Sequence, residues 1–169
     1  MSNQSPSNSN PEARAPHRPN PDSRAPPRVK YYRRFHGYDY SRGASLFITI
    51  SPEPRRMLFG RVKDAKVELS PFGKIVAESI AAIPRFNPAI FLFDWVVMPD
   101  HVHFNVHLAA NIKEPLQVLG AAMRKFKTFT TTMARKLLGL GTIWQQGYHD
   151  YLLLSRAFIE ATGRYIRYN

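Results

Sequence analysis

Cysteine is absent from the 169 residues, which excludes disulfide frameworks, thiolate metal sites and cysteine nucleophiles. A chain without thiols is at home in a reducing cytosol. No apolar run approaches the roughly 20 residues that a membrane-spanning helix needs, and the polar, proline-rich start has no signal-peptide core. A soluble protein without a membrane partner is therefore expected. Acidic residues are scarce as well. Twelve Asp+Glu face 24 Lys+Arg, giving a net charge of +12 and a pI near 10.3. Such a balance favours a polyanionic partner, most simply nucleic acid. Apolar material is not lacking: 44% of residues are hydrophobic and 12% aromatic. That is enough for a packed core and excludes a purely disordered basic peptide.

Residues 1–30 hold seven of the fourteen prolines and almost no large apolar side chain. They cannot bury enough surface to offset their ordering entropy, so a disordered basic tail is predicted there, with one folded domain over 31–169. Five Lys/Arg and two acids put +3 on the tail, which leaves +9 on the domain.

Within the domain, residues 45–50 (SLFITI) read as a first strand and 67–69 as a short edge strand. Ser70-Pro71 opens a helix to about residue 82, because serine caps and proline at the first position loses no needed N–H. The nearly continuous apolar run at 89–98 predicts a central strand covered on both faces. After Pro99-Asp100, residues 101–108 alternate polar and apolar, as the second strand of a hairpin. A long helix follows from Glu114-Pro115. Its apolar positions are Leu116, Leu119, Met123, Phe126, Phe129 and Met133, its exposed positions include Arg124, Lys125, Lys127, Arg135 and Lys136, and Gly139 and Gly141 end it. Residues 144–148 read as a loop, with Trp144 in packing rather than base stacking. A last strand at 151–154 and a helix at 157–168 complete an α+β, ferredoxin-like sandwich: an antiparallel sheet with helices on one face, plus a C-terminal helix.

The sharpest local feature is His101-Val102-His103. Residues two apart on a strand share a face, about 7 Å apart at the backbone, so two imidazoles can converge on one cation. With six histidines in the chain, such a pair can also arise by chance. His107 continues the same face and reads as surface or groove lining. At the far end, Tyr165 and Asn169 are four apart and share a face if helical; Tyr168 is an equally plausible phenol by chemistry. A phenol with a pKa near 10 is phenolate in only about one molecule in a thousand at neutral pH, so a bound divalent cation would have to assist any attack on a phosphodiester. Imidazole suits Mn²⁺ better than Mg²⁺, whereas Mg²⁺ is more abundant, and both ions stay open. Arg33, Arg34, Arg124, Lys125, Lys127, Arg135 and Lys136 are the predicted DNA-binding cations. For Asp150 a cap or ion pair is favoured over catalysis.

Met98-Pro99-Asp100-His101-Val102-His103 resembles the histidine, hydrophobic residue, histidine signature of the HUH nucleases. Arg33-Arg34 ahead of residues 46–49, Arg55-Arg56-Met57-Leu58-Phe59, the basic stretch around Lys125-Phe126-Lys127, residues 143–150 (IWQQGYHD) and Tyr165-Ile166-Arg167-Tyr168-Asn169 follow in the order seen in the REP-associated tyrosine transposases. The resemblance covers residues 32–169. It implies His101 and His103 as metal ligands, Tyr165 as the nucleophile and Asn169 as a third ligand, with Mg²⁺ or Mn²⁺ as cofactor. It further implies a transposase-like endonuclease and strand transferase. Such an enzyme cuts single-stranded DNA beside a hairpin of the REP palindrome type, leaving a 5′-phosphotyrosine and a free 3′-OH, in the bacterial cytoplasm at the nucleoid. Monomer and homodimer stay open. Family members continue past the tyrosine motif whereas this sequence ends at Asn169, so a catalytically inactive or domesticated hairpin-binding protein on the same fold is the alternative reading.

Overall fold

The structure, a computed structural model, describes residues 37–169. The predicted tail and the Arg33-Arg34 pair lie outside the described residues. Strand β1 (Ala44–Ile50) is followed by a small antiparallel hairpin of β2 (Gly60–Lys63) and β3 (Lys66–Leu69), then by α1 (Pro71–Ala81) and a single turn α2 (Ile83–Phe86). Next come β4 (Ile90–Val97), β5 (Val102–Leu108), the long α3 (Pro115–Leu138), β6 (His149–Leu152) and α4 (Arg156–Arg167). β4, β5, β1 and β6 form one sheet in that spatial order, each neighbour antiparallel. This is the predicted ferredoxin-like α+β sandwich.

Strand alternation divides the molecule into two cores. Leu46, Ile48 and Ile50 of β1 and Val102, Phe104, Val106 and Leu108 of β5 point to one face, where Phe72, Val76 and Ile80 of α1 and Leu119, Met123 and Phe126 of α3 cover them. Each such side chain, fully buried, stabilises the fold by about 1.5–3 kcal/mol. The intervening residues point to the other face. There a smaller cluster of Phe47, Leu153 and Ile166, flanked by Ile159 and Tyr165, seats α4. The predicted two helices on one face and a separate C-terminal helix are both present.

Helix α1 begins where the sequence reading put it: Ser70 Oγ accepts the Gly73 N–H at 2.9 Å, with Pro71 in the first turn. Gly73 is there because the helix runs hard against the chain before β2. A Cβ on it would stand 1.9 Å from the Phe59 carbonyl oxygen. Gly73→Ala is therefore expected to lower stability by about 1–3 kcal/mol, the usual cost of overpacking, seen as a lower urea midpoint; an unchanged midpoint would contradict this packing. Helix α3 ends on Gly139 in the left-handed region, φ 65°, whose N–H donates to the Arg135 carbonyl.

Three expectations are corrected. The apolar run at 89–98 is not a central strand but the edge strand β4. Phe91, Phe93 and Trp95 are at least partly exposed on it, and its pairing with β5 shifts register between Leu92 and Trp95. A run bounded by turns looks the same whether both faces are covered or only one. The short edge strand expected at 67–69 is present as β3, but in a separate two-stranded sheet whose other member, β2, went unread because Gly60-Arg61-Val62-Lys63 carries no apolar alternation. The helix expected to run to Tyr168 stops one residue earlier, at Arg167. Trp144 is 4% exposed and donates its indole N–H to Thr130 Oγ1 at 2.8 Å, a packing role as expected. No helix among the described residues is long and apolar enough to cross a membrane.

Candidate active site

β5 places His103 on the α4 side of the sheet, and His101, in the turn just before it, reaches the same point. The two Nε2 atoms stand 2.9 Å apart. Each ring is fixed through its other nitrogen: His101 Nδ1 lies 2.6 Å from Asp100 Oδ1, and His103 Nδ1 lies 2.8 Å from Thr49 Oγ1. Asp100 accepts only, so His101 carries a proton on Nδ1, and Nε2 is the nitrogen left to face a metal. The Thr49 hydroxyl both donates and accepts, so His103 can hold its proton on either nitrogen. Partners of this kind orient the ligands in metal sites.

His103 is 6% exposed, stacked on Phe47 with ring centroids 5.0 Å apart. Burial pushes its pKa down to about 3, and the neighbouring His101 adds to the fall. It is thus neutral at pH 7, as a metal ligand must be. For Asp100, burial pushes the pKa up, but hydrogen bonds from His101 and Arg55 outweigh it and hold the carboxyl below its ordinary value. Arg55 Nε meets Asp100 Oδ2 at 2.5 Å, so a cation, a carboxylate and an imidazole form one chain of contacts.

Helix α4 brings the phenol. Its first turn is capped by Ser155, and a buried hydrogen bond from Asn105 Nδ2 to Thr162 Oγ1, 3.1 Å, ties its middle to β5. The Arg167 guanidinium reaches Asp94 on β4. Held this way, Tyr165 Oη lies 3.5 Å from His103 Nε2, with its ring edge-on to both His103 and Phe47. Tyr168, the other candidate phenol, caps the helix and is 84% exposed.

The donor set fits a divalent cation in part. Cis positions in an octahedral shell with bonds of about 2.0–2.1 Å stand about 3 Å apart, close to the 2.9 Å between the two Nε2 atoms. Both are imidazole nitrogens able to face one point. Among the described residues no group of three or more His, Cys, Asp or Glu could hold a metal ion, so a third protein ligand would have to be of another type. Asn169 lies one residue past the helix cap and is exposed, outside the helical turn on which it was expected to share a face with Tyr165.

The predicted cations are elsewhere. Arg124, Lys125, Arg135 and Lys136 are exposed on α3, which covers the opposite face of the sheet from the histidines. Lys127 is half-buried, donating to the carbonyls of Gln145 (2.8 Å) and Gly147, and burial lowers its pKa to about 8. It pins the loop after α3 and is not a free surface cation. Asp150 stands opposite Ile48 on the α1/α3 face, turned away from the histidines. Thr49, Arg55 and Asp100 had no role in the sequence reading. Only Asp100, beside His101, carried a local signal; the other two meet the site across 54 and 45 residues.

No family model matches the chain. An uncharacterized protein of Haemophilus influenzae is 27% identical over 137 residues, covering 71% of this chain and 76% of that protein. Among solved structures, a candidate transposase of Deinococcus radiodurans R1 aligns over 78% of this chain and 92% of its own at a TM-score of 0.45 and 19% identity, too distant to carry an argument. A REP-associated tyrosine transposase bound to a REP hairpin superposes at a TM-score of 0.56 and 21% identity, over 74% of this chain. The match spans 65% of that protein's length. Strand order, the separate C-terminal helix and this superposition agree: the chain has the fold of the REP-associated tyrosine transposase.

Proposed function

We propose that the chain is a tyrosine transposase of the REP-associated, HUH type: a metal-dependent single-stranded DNA endonuclease and strand transferase that acts beside a DNA hairpin. One observation carries the reading, a phenol oxygen 3.5 Å from a neutral imidazole whose Nε2 faces a second imidazole at 2.9 Å. In this reading Tyr165 Oη attacks the phosphorus and loses its proton to water. The bond to the 3′ oxygen breaks, that oxygen leaves with the electron pair and takes up a proton, and the 5′ phosphate stays on the tyrosine. The opposite sequence, a 3′-OH attacking the phosphotyrosine, rejoins the strand.

A bound Mg²⁺ or Mn²⁺ would polarise the scissile phosphate and offset its developing charge. His101 and His103 would hold it, and Asn169 would complete the protein ligands. Asp100 and Thr49 keep the imidazoles in place, and Phe47 excludes water from one side of His103. Arg33, Arg34, Arg124, Lys125, Arg135 and Lys136 would neutralise hairpin phosphates, making binding salt-sensitive. Lys127, engaged by two carbonyls, contributes to this only through the loop it holds.

A hairpin-flanked single strand incubated with the protein and Mn²⁺ or Mg²⁺ is expected to yield a protein–DNA adduct that survives denaturing gels, and EDTA is expected to prevent it. Salt-sensitive binding without an adduct in either ion, indifferent to EDTA, would overturn the enzyme and leave the hairpin-binding protein.

A further inference from the structure

Among the described residues, the edge strand β4 ends one side of the sheet with exposed aromatic rings. Phe91 and Phe93 are 51% and 56% exposed. Edge strands normally carry charge at such positions to avoid pairing with other chains, and here two phenylalanines stand instead. Phe91 is directly opposite His107 in the sheet register, so both point to the α4 side. The irregular pairing between Leu92 and Trp95 accompanies Phe93 on that same side, its ring 6.5 Å from His107, with Phe91 at 6.3 Å. The imidazole between them is fixed: its Nδ1 lies 3.0 Å from Ser45 Oγ. Behind it is Gly43, with φ 90°, where a Cβ would approach His107 Nε2 to 3.3 Å. The cluster thus has a fixed imidazole at its centre, with two exposed phenylalanine rings beside it.

We propose that Phe91, Phe93 and His107 form a stacking subsite for unpaired nucleobases of the single strand that runs to Tyr165. This rests on the reading given under Proposed function and adds to it a place for the strand. His107 and His103 are four residues apart on one face of β5, about 13 Å. A strand with a phosphate at the histidine pair reaches the platform within about four stacked nucleotides at about 3.4 Å each, and within fewer if extended. The partner's chemistry follows from size and charge. Three rings are far smaller than the roughly 800 Å² per partner of a stable protein interface, but they match one or two bases. The excess of +9 on residues 31–169 favours a polyanion. The carboxylate next to Phe93 in the chain, Asp94, is paired with Arg167.

The test uses the full chain and single-stranded oligonucleotides carrying 2-aminopurine at successive positions from the hairpin foot. Wild-type protein should change the fluorescence of one or two adjacent positions. Phe91→Ala/Phe93→Ala should remove that change and weaken single-strand binding about 10-fold or more, in line with the alanine-substitution cost of stacking. Phe91→Tyr/Phe93→Tyr should restore both, and the hairpin stem alone should bind all three proteins equally. Equal affinity and equal fluorescence in wild type and the double alanine variant would overturn the subsite while leaving the nuclease reading intact. A wild-type protein that binds no single-stranded DNA would overturn both. An alanine variant that loses stem binding in the same proportion would show general damage, and it too would overturn the subsite.

Discussion

Tyr165→Phe is expected to abolish the covalent adduct and to lower strand cleavage by at least about 10³-fold, as removal of a nucleophile does elsewhere. The substitution deletes one oxygen and nothing else. The ring of Tyr165 packs edge-on against Phe47 and His103, and phenylalanine keeps both contacts. The hydroxyl lies at the long limit of hydrogen bonding, 3.5 Å from His103 Nε2, so its loss should change unfolding free energy by no more than about 0.5 kcal/mol. Activity and stability thus separate in one variant. Tyr168→Phe serves as the internal contrast. That phenol is exposed past the end of α4, and its removal should leave the adduct yield unchanged. An adduct of undiminished yield in Tyr165→Phe, read on denaturing gels with labelled DNA, would disprove the nucleophile assignment.

The second large effect concerns the imidazole pair. Replacing His101 and His103 together by alanine should abolish cleavage in both Mg²⁺ and Mn²⁺ while sparing salt-sensitive hairpin binding, since the exposed cations of α3 lie across the sheet. Loss of binding in step with cleavage would contradict that separation. The two residues differ in what else they do. His101 is partly exposed, so His101→Ala removes a donor at little structural cost. His103 is buried between Phe47 and Thr49, and its removal also leaves a cavity. The same burial gives a pH signature. His103 has a folded pKa of about 3 against an ordinary 6.5, so below pH 6.5 the unfolded chain takes a proton that the folded chain refuses. Stability attributable to this residue is complete above pH 6.5 and declines as pH falls toward 3. His103→Ala should flatten that acid-side decline.

Much of this arrangement was legible in the residues. The alternation of 101–108 fixes which side chains share a face, and a spacing of two puts His101 and His103 together in any strand. Ser70-Pro71 and Gly139 mark helix ends through local chemistry that needs no tertiary context. What was not legible depends on the third dimension. Whether 89–98 lies inside the sheet or at its edge turns on the order of strands, and its phenylalanines read as core until β4 is seen at the end of the sheet formed by the described residues. Lys127 reads as a surface cation by helical position, and only the loop returning to it shows two carbonyls in wait. Asn169 fits a helical spacing that the chain leaves two residues too soon. Nothing local to Thr49 or Arg55 points to the histidine pair, because their partners are distant along the chain.

The phenol and both imidazoles come from one polypeptide. Under the function proposed above, one copy would carry a single phosphotyrosine at this centre at a time. Releasing a DNA segment with two ends would then require one copy to act twice in succession or two copies to act once each.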